Sequence, residues 1–523
     1  MTVEQKLNDP LFINRCRNLD LDPIQIQKHI RKIANAIKNQ TEANIPILDT
    51  CRLDNTGIIA SSCCPIGNES SKGVASFIPA AGASSRYYKP FGDLVKILES
   101  NDLALIKSSL LKLIKQGANQ WPLPNTLRKF VEKPDQEMSE KDIELIILEL
   151  SLPKALQPCV ITGQTFLEMK ILEDRAFQFL EGSFLVTSPT METAIQKKLN
   201  SLDATNFKIL LQGPKQSTVR VKQNLEPLIE DEALSIVPAG HGTLAELFPK
   251  VREYCPYAHS VLIRNIDNIV GPSSEVVDHT ANLVKTHNFL RNNVANIRHS
   301  IDEHDFKEAE KIAANTLKFL PTSKNAQLDH NSESRNWTEA KEKYPYSLKL
   351  QQDIFHLNCD LFSYTLKEEK HIEATIKRLY DRPVNTMGMV PNTQNNIGGS
   401  PVFVNFHNLP IKLCIELPHV SSEDREKYLV PPEKATHFNP VFVVSEIPKT
   451  SDYYSQFEES SWVLAKKSYK GQEVYYHESV LYELISDSLL SNCAFVEIPL
   501  LLFNPHKSIT DSVGKKFTDW NRL

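Results

Sequence analysis

Val74-Ala-Ser-Phe-Ile-Pro-Ala-Ala-Gly-Ala-Ser-Ser-Arg-Tyr-Tyr-Lys89 is the stretch on which the reading of the fold turns. Val74 to Ile78 is a short apolar run, the signature of a buried strand. It opens into small residues, Ala80 to Ser85, and then Arg86. Small side chains after a strand let a backbone turn pass close to a ligand. Successive N–H groups in such a turn make an anion site, and Arg86 adds a permanently charged fork for phosphate oxygens.

The bulk properties narrow the class. The chain has 523 residues, enough for roughly three domains or one large α/β domain with insertions. Lys and Arg number 59 against 64 Asp and Glu, giving a net charge of −5. That balance points away from a nucleic-acid backbone or an anionic membrane as the main partner. The nine cysteines are scattered and none forms a CxxC pair, so neither a zinc site nor a disulfide framework is expected. No signal peptide and no run of 18 apolar residues is present, which predicts a cytoplasmic protein; leaderless secretion stays open.

Residues 1–73 read as a helical N-terminal segment. Asp22-Pro23 is a cap with a proline in the first turn, and Ile26, Ile30, Ile33 and Ile37 share one face. Residues 74–275 read as an α/β core with a helical insertion at 94–150, where Ser139 to Asp142 resembles a helix start. Strand-like runs at Ser183–Thr187, Phe207–Leu211, Ala233–Val237 and Ser260–Ile266 alternate with helical pieces, which argues for a mostly parallel sheet. Residues 276–381 read as a second helical insertion. Residues 382–523 return to strands in a C-terminal α+β portion.

Five further motifs carry residues suited to phosphate, metal or nucleotide, all of them at expected strand ends, where α/β sheets bind ligands. Leu152-Pro-Lys-Ala-Leu-Gln-Pro158 holds Lys154 in a short loop between prolines. Leu210-Leu-Gln-Gly213 ends a strand at Gln212, an amide suited to a base edge. Val237-Pro-Ala-Gly-His-Gly-Thr243 offers Gly240, His241 and Gly242, with room for a flat group on the backbone. Val261-Leu-Ile-Arg-Asn-Ile-Asp-Asn268 delivers Asp267, a hard oxygen ligand for a Mg²⁺ that also holds phosphates. Phe503-Asn-Pro-His-Lys507 delivers a second lysine. Each motif alone is matched by a plain structural reading: a turn, a cap or a solvated lysine.

Their order is more specific. The series resembles the eukaryotic-type UDP-sugar pyrophosphorylase superfamily. Arg382-Pro-Val-Asn-Thr-Met-Gly-Met389, Gly398-Gly-Ser-Pro401 and Lys434-Ala-Thr-His-Phe-Asn-Pro440 are most similar to a bacterial family of unknown function related to it. The resemblance spans about residues 74–515. It implies a Rossmann-like, GT-A-like nucleotidyltransferase fold and Mg²⁺-dependent transfer of a nucleotide, UMP from UTP, onto a sugar 1-phosphate. Ala81, Gly82, Ala83, Ser84 and Ser85 match the turn over the nucleotide phosphates, with Arg86 on the triphosphate. Lys154 and Lys507 match lysines that reach phosphate, and Asp267 the metal ligand. Gln212, Gly240, His241 and Gly242 match nucleobase contacts. Asn265, Glu416, His437 and Asn439 match the sugar-facing side. Three departures stand out: Ser84 replaces the second glycine of the turn, a long insertion separates Arg86 from Pro153, and His506 takes the place of an aliphatic residue. Two other functions stay open: a transferase of the same fold with a non-sugar or protein acceptor, and a degenerate nucleotide-sugar-binding or interaction protein that holds a partner through its helical insertions.

Overall fold

The computed structural model describes residues 3–38, 45–55, 57–64, 69–80, 87–88, 102–115, 121–132, 139–318, 349–350, 353–354, 357, 382–396, 398–406, 409–454 and 464–512. The protein is mixed α/β, and its largest sheet is mostly parallel. Two compact units divide the chain. One comprises Met1–Val74, Gly213–Leu262 and Ala281–Leu500; the other comprises Ala75–Gln212, Ile263–Thr280 and Leu501–Leu523.

In the second unit the strand Val74–Pro79 forms where the quoted stretch is apolar, and all its residues but Pro79 are buried. It lies beside Leu180–Thr187, which pairs in parallel with Phe207–Leu211, from Ser183↔Phe207 to Thr187↔Leu211. Burial of nearly every side chain is what a parallel sheet covered by helices demands. The covering helices start at real caps. Thr165 and Glu168 form a capping box ahead of Phe166–Ala176, and Ser139 and Asp142 form another ahead of Glu140–Ser151. The apolar faces of Leu103–Lys115, Asn125–Glu132 and Glu140–Ser151 meet a core that includes Ile106, Leu127, Ile146, Phe166 and Ile266.

In the first unit Val384–Pro391 pairs in parallel with Asn492–Glu497 and antiparallel with Phe442–Glu446. A separate antiparallel sheet joins Ile47–Thr50, Ser400–Phe406 and Leu409–Ile415. The helix Pro23–Lys38 is capped as its sequence requires, with Ile24 N–H donating to Asp22 Oδ1 at 2.9 Å. Ile26, Ile30 and Ile33 turn inward against Val219, Val221, Leu234 and Tyr475. One strand expectation is corrected. Ala233–Val237 divides into two short strands, Ala233–Leu234 paired with Ile229–Glu230 and Ile236–Pro238 paired with Ser217–Val219, both antiparallel. Asp231 and Glu232 take positive φ and turn Ala233–Leu234 back on Ile229–Glu230 in a tight hairpin; the division falls at Ser235, whose N–H donates to Leu228 O at 2.8 Å while its O accepts from Arg220 N–H at 2.9 Å. The helix Ser274–Asp302 begins in the second unit and ends in the first. Among the described residues no helix is long and apolar enough to cross a membrane.

Candidate active site

The second unit brings together Lys154, Asp267 and the segment carrying Lys507, three of the positions to which the sequence reading assigns phosphate and metal. Ser260–Arg264 ends at Arg264, and the turn Asn265–Asn268 follows, with Asn268 N–H closing on Asn265 O at 3.3 Å. Asp267 stands in that turn, half-buried. Lys154 sits on a single 3₁₀ turn, Lys154–Leu156, entered from Pro153. Its Nζ lies 2.8 Å from Asp267 Oδ2. The same ammonium stands over the rings of Tyr87 at 5.6 Å and Phe166 at 5.3 Å. Those rings meet edge to face, with centroids 5.3 Å apart. Lys154 therefore occupies a nest of one carboxylate and two aromatic faces, a stable place for an ammonium.

The Asp267 turn is gripped from beneath by buried charge. Lys170, Glu173 and Arg264 are fully buried, and Asp174 is nearly so. Glu173 Oε1 accepts from Val270 N–H at 2.8 Å and Gly271 N–H at 3.0 Å. Its Oε2 accepts from Lys170 Nζ at 2.7 Å and Arg264 Nη1 at 3.1 Å. Lys170 also donates to Asn268 O, and Arg264 to Asp174. Burial pulls the Lys170 ammonium below its ordinary range even with Glu173 against it.

From the other side, Asn268 Oδ1 accepts from Asn504 N–H at 2.7 Å, and Asp267 O from His506 N–H at 2.8 Å. Lys507 follows, exposed, on this tethered segment. His506 is fully buried, edge-on to Phe166 at 6.3 Å, so a ring fills the place where the resemblance leads one to expect an aliphatic side chain. Gln212 ends its strand with its N–H on Thr187 O at 2.8 Å, and Asn265 is half-buried beside Asp267 in sequence. Ala81, Gly82, Ala83, Ser84, Ser85 and Arg86 lie outside the described residues.

In the first unit the Gly240–Gly242 loop has a different neighbour from the one its sequence suggests. Gly240 has φ +87°, and a Cβ there would stand 2.2 Å from Ser479 O. A Cβ on Gly242 would stand 2.0 Å from Ser479 Oγ. The close approach of Ser479 is what requires glycine at both positions. His241 Nδ1 accepts from Leu481 N–H at 2.9 Å, which leaves Nε2 as the donor. Its ring lies 5.3 Å from Tyr482, whose hydroxyl bonds Glu416. Tyr482 thus links His241 to Glu416. Burial, then the Glu416 charge, drives the Tyr482 phenol well above its ordinary range, so it stays a donor. Behind them Glu483 Oε1 takes Glu416 N–H at 2.8 Å and His419 Nδ1 at 2.5 Å.

Asn439 is spent on the backbone: Nδ2 donates to Gly388 O at 2.8 Å and Oδ1 accepts from Val441 N–H at 2.8 Å. His437 is buried, with Nδ1 on Thr436 Oγ1 at 2.9 Å and Nε2 3.6 Å from Glu497 Oε1. Sequence reading missed Ser479 and Tyr482, which carry no local signal. It also missed the roles of Tyr87 and Phe166, although Tyr87 stands next to Arg86 in the opening stretch.

The architecture is a nucleotidyltransferase-like fold. The comparisons agree on the fold. Residues 341–517, under half of the chain, match the model of a domain of unknown function, DUF4301. The UDP-glucose phosphorylase of Trypanosoma brucei superposes with a TM-score of 0.50 at 12% identity, covering 96% of this chain and 77% of that one. The UDP-glucose pyrophosphorylase of Leishmania major, in its open and closed structures, gives 0.49 at 11% identity with the same coverage. At such identity the Trypanosoma brucei likeness shows the fold alone. No curated protein matches the chain in sequence.

The Mg²⁺ that the sequence resemblance implies would find one hard carboxylate, Asp267, at the end of the strand Ser260–Arg264. Among the described residues no group of three His, Cys, Asp or Glu side chains could enclose a metal. Mg²⁺ is commonly held by one or two carboxylates, with water and substrate phosphates completing its shell.

Proposed function

We propose that the chain is a nucleotidyltransferase that joins a nucleoside triphosphate, UTP, to a sugar 1-phosphate and releases pyrophosphate, in the cytoplasm and with Mg²⁺. The Lys154–Asp267 contact at the end of the strand Ser260–Arg264 carries this reading. It joins, across 113 residues of sequence, the two positions that the motif order pairs as phosphate cation and metal carboxylate.

A sugar phosphate oxygen attacks the α-phosphorus in line. The new P–O bond forms as the α-to-bridging-oxygen bond breaks, and pyrophosphate leaves with the electron pair. The attacking phosphate is already an anion near neutral pH, so no general base is needed. Positioning and charge neutralisation do the work. Lys154, Lys507 and Arg86 offset charge moving onto pyrophosphate. Mg²⁺, when bound by Asp267, supplies Lewis-acid neutralisation of the phosphate oxygens. Gln212 is the amide proposed for the base, and Glu416, oriented by Tyr482, is the carboxylate proposed for the sugar.

A second reading is a transferase of the same fold with a non-sugar acceptor. It is favoured by Asn439, whose buried amide donates to Gly388 O and accepts from Val441 N–H. The test is pyrophosphate release with Mg²⁺, each nucleoside triphosphate against a panel of sugar 1-phosphates, with Asp267→Ala as control. Release that needs both substrates and vanishes in the control is the expected result. Binding of UTP without release from any pair would favour the second reading, and neither binding nor release would sink both.

A further inference from the structure

We infer that Lys154 has a task besides contacting phosphate: in the substrate-free protein it occupies the Asp267 carboxylate, holds the divalent cation off, and yields that place when a polyphosphate draws it away. The inference rests on the nucleotidyltransferase reading and concerns the order in which its site fills.

The geometry leads there in three steps. The 2.8 Å pair is partly shielded from water, with side-chain exposures of 12% for Lys154 and 23% for Asp267. Charges so placed interact more strongly than a surface pair does. Next, among the described residues no group of three His, Cys, Asp or Glu side chains could enclose a metal, so an ammonium on Asp267 and a dication would compete for the same carboxylate oxygens. Finally, the other buried cations nearby cannot exchange with it. Lys170 is committed to Glu173 and Asn268 O, and Arg264 to Glu173 and Asp174, all out of solvent.

Lys154 is placed to move. Its stem is long, its 3₁₀ turn is short, and the Tyr87 and Phe166 faces attract an ammonium without bonding it directionally. A polyphosphate offers this ammonium more negative charge than one carboxylate does. When Lys154 turns to it, Asp267 is released to the cation. Linkage makes the effect reciprocal: polyphosphate and metal each raise the other's affinity through the exchange of one lysine between two partners.

This differs in sign from a lysine that only touches phosphate. Removing the ammonium should raise metal affinity in the free protein while it lowers polyphosphate affinity. The experiment is a Mn²⁺ titration of the substrate-free full chain followed by electron paramagnetic resonance. Lys154→Met is expected to bind Mn²⁺ about tenfold more tightly than wild type. Lys154→Arg, which keeps the charge and fills the aromatic nest, should stay near wild type. Asp267→Asn should abolish binding in either background. In parallel, metal-free calorimetry with inorganic tripolyphosphate should show weaker binding to Lys154→Met. Equal or weaker Mn²⁺ binding by Lys154→Met, no binding by either protein, or unchanged tripolyphosphate affinity would each overturn the inference. The Mn²⁺ titration uses no sugar or nucleotide. The competition can therefore hold while the pyrophosphate assay fails, or fail while the assay succeeds, and the two ideas are judged separately.

Discussion

Glu173→Gln tests the buried charge beneath the Asp267 turn. The wild-type carboxylate is fully buried and takes four hydrogen bonds, two from cations and two from the backbone of Val270 and Gly271. An amide of the same shape removes the negative charge and turns one acceptor into a donor. That donor must face either two backbone N–H groups or two cations. Breaking a buried pair by removing one partner costs about 3–5 kcal/mol, because the remaining charge is left uncompensated. Here two cations, Lys170 and Arg264, lose a shared anion, so the upper part of that range applies. For a unit of this size the midpoint of thermal unfolding should fall by of order 10 °C. Lys170→Met alone should cost a similar amount, since Glu173 and Asn268 O then lose their donor. The double variant Lys170→Met/Glu173→Gln should be less damaged than the sum, with a coupling of at least about 1.5 kcal/mol. Calorimetric unfolding of the four proteins at neutral pH gives the cycle. A midpoint for Glu173→Gln within about 2 °C of wild type, or additive single effects, would refute the idea that these charges act as one unit.

Gly242→Ala should destabilise the first unit by about 1–3 kcal/mol through overpacking, and Ser479→Gly should recover part of that loss, because the clash is with the Ser479 side chain. Gly240→Ala should not be recovered in the same way, since its Cβ meets the Ser479 backbone and its φ is +87°; recovery of both by Ser479→Gly, in thermal unfolding, would defeat the assignment. Burial first, then the Lys32 and Lys28 charges, lowers the His29 imidazole to about 3, and His477, stacked on it at 4.1 Å, is also lowered by burial. The unfolded imidazole takes its proton near pH 6.5, ahead of the folded one, so stability is full above about 6.5 and drains as pH falls toward 3. At pH 5 His29 alone accounts for a loss of about 2 kcal/mol. His29→Phe should therefore narrow the gap between unfolding midpoints at pH 7.5 and pH 5; an unchanged gap would show that this histidine is not the source.

What the sequence disclosed and what it hid follow from the range of the interactions. The position of Asp267 just past a strand was legible because an apolar strand that ends in a polar turn places its next residues at a sheet's carboxyl end, and that needs only local pattern. The short turn that carries Lys154 was legible for a similar reason, since prolines flank it on both sides. Arg264 was not. Within Val261-Leu-Ile-Arg it reads as the polar end of a strand, yet it is fully buried, because Glu173 and Asp174 reach it from a helix some 90 residues earlier. No periodicity within either segment announces that meeting. The Gly240–Gly242 loop is the sharper lesson. Its glycines do mark a close approach, as the sequence suggested, but what approaches is Ser479, from a segment whose Leu481 N–H meets His241 across 240 positions. Glycine records that space is needed and is silent about what fills it. The same loop is nonetheless drawn toward Glu416 by Tyr482. The segment that accounts for the glycines is therefore also the one that joins two of the residues expected to meet the nucleotide sugar.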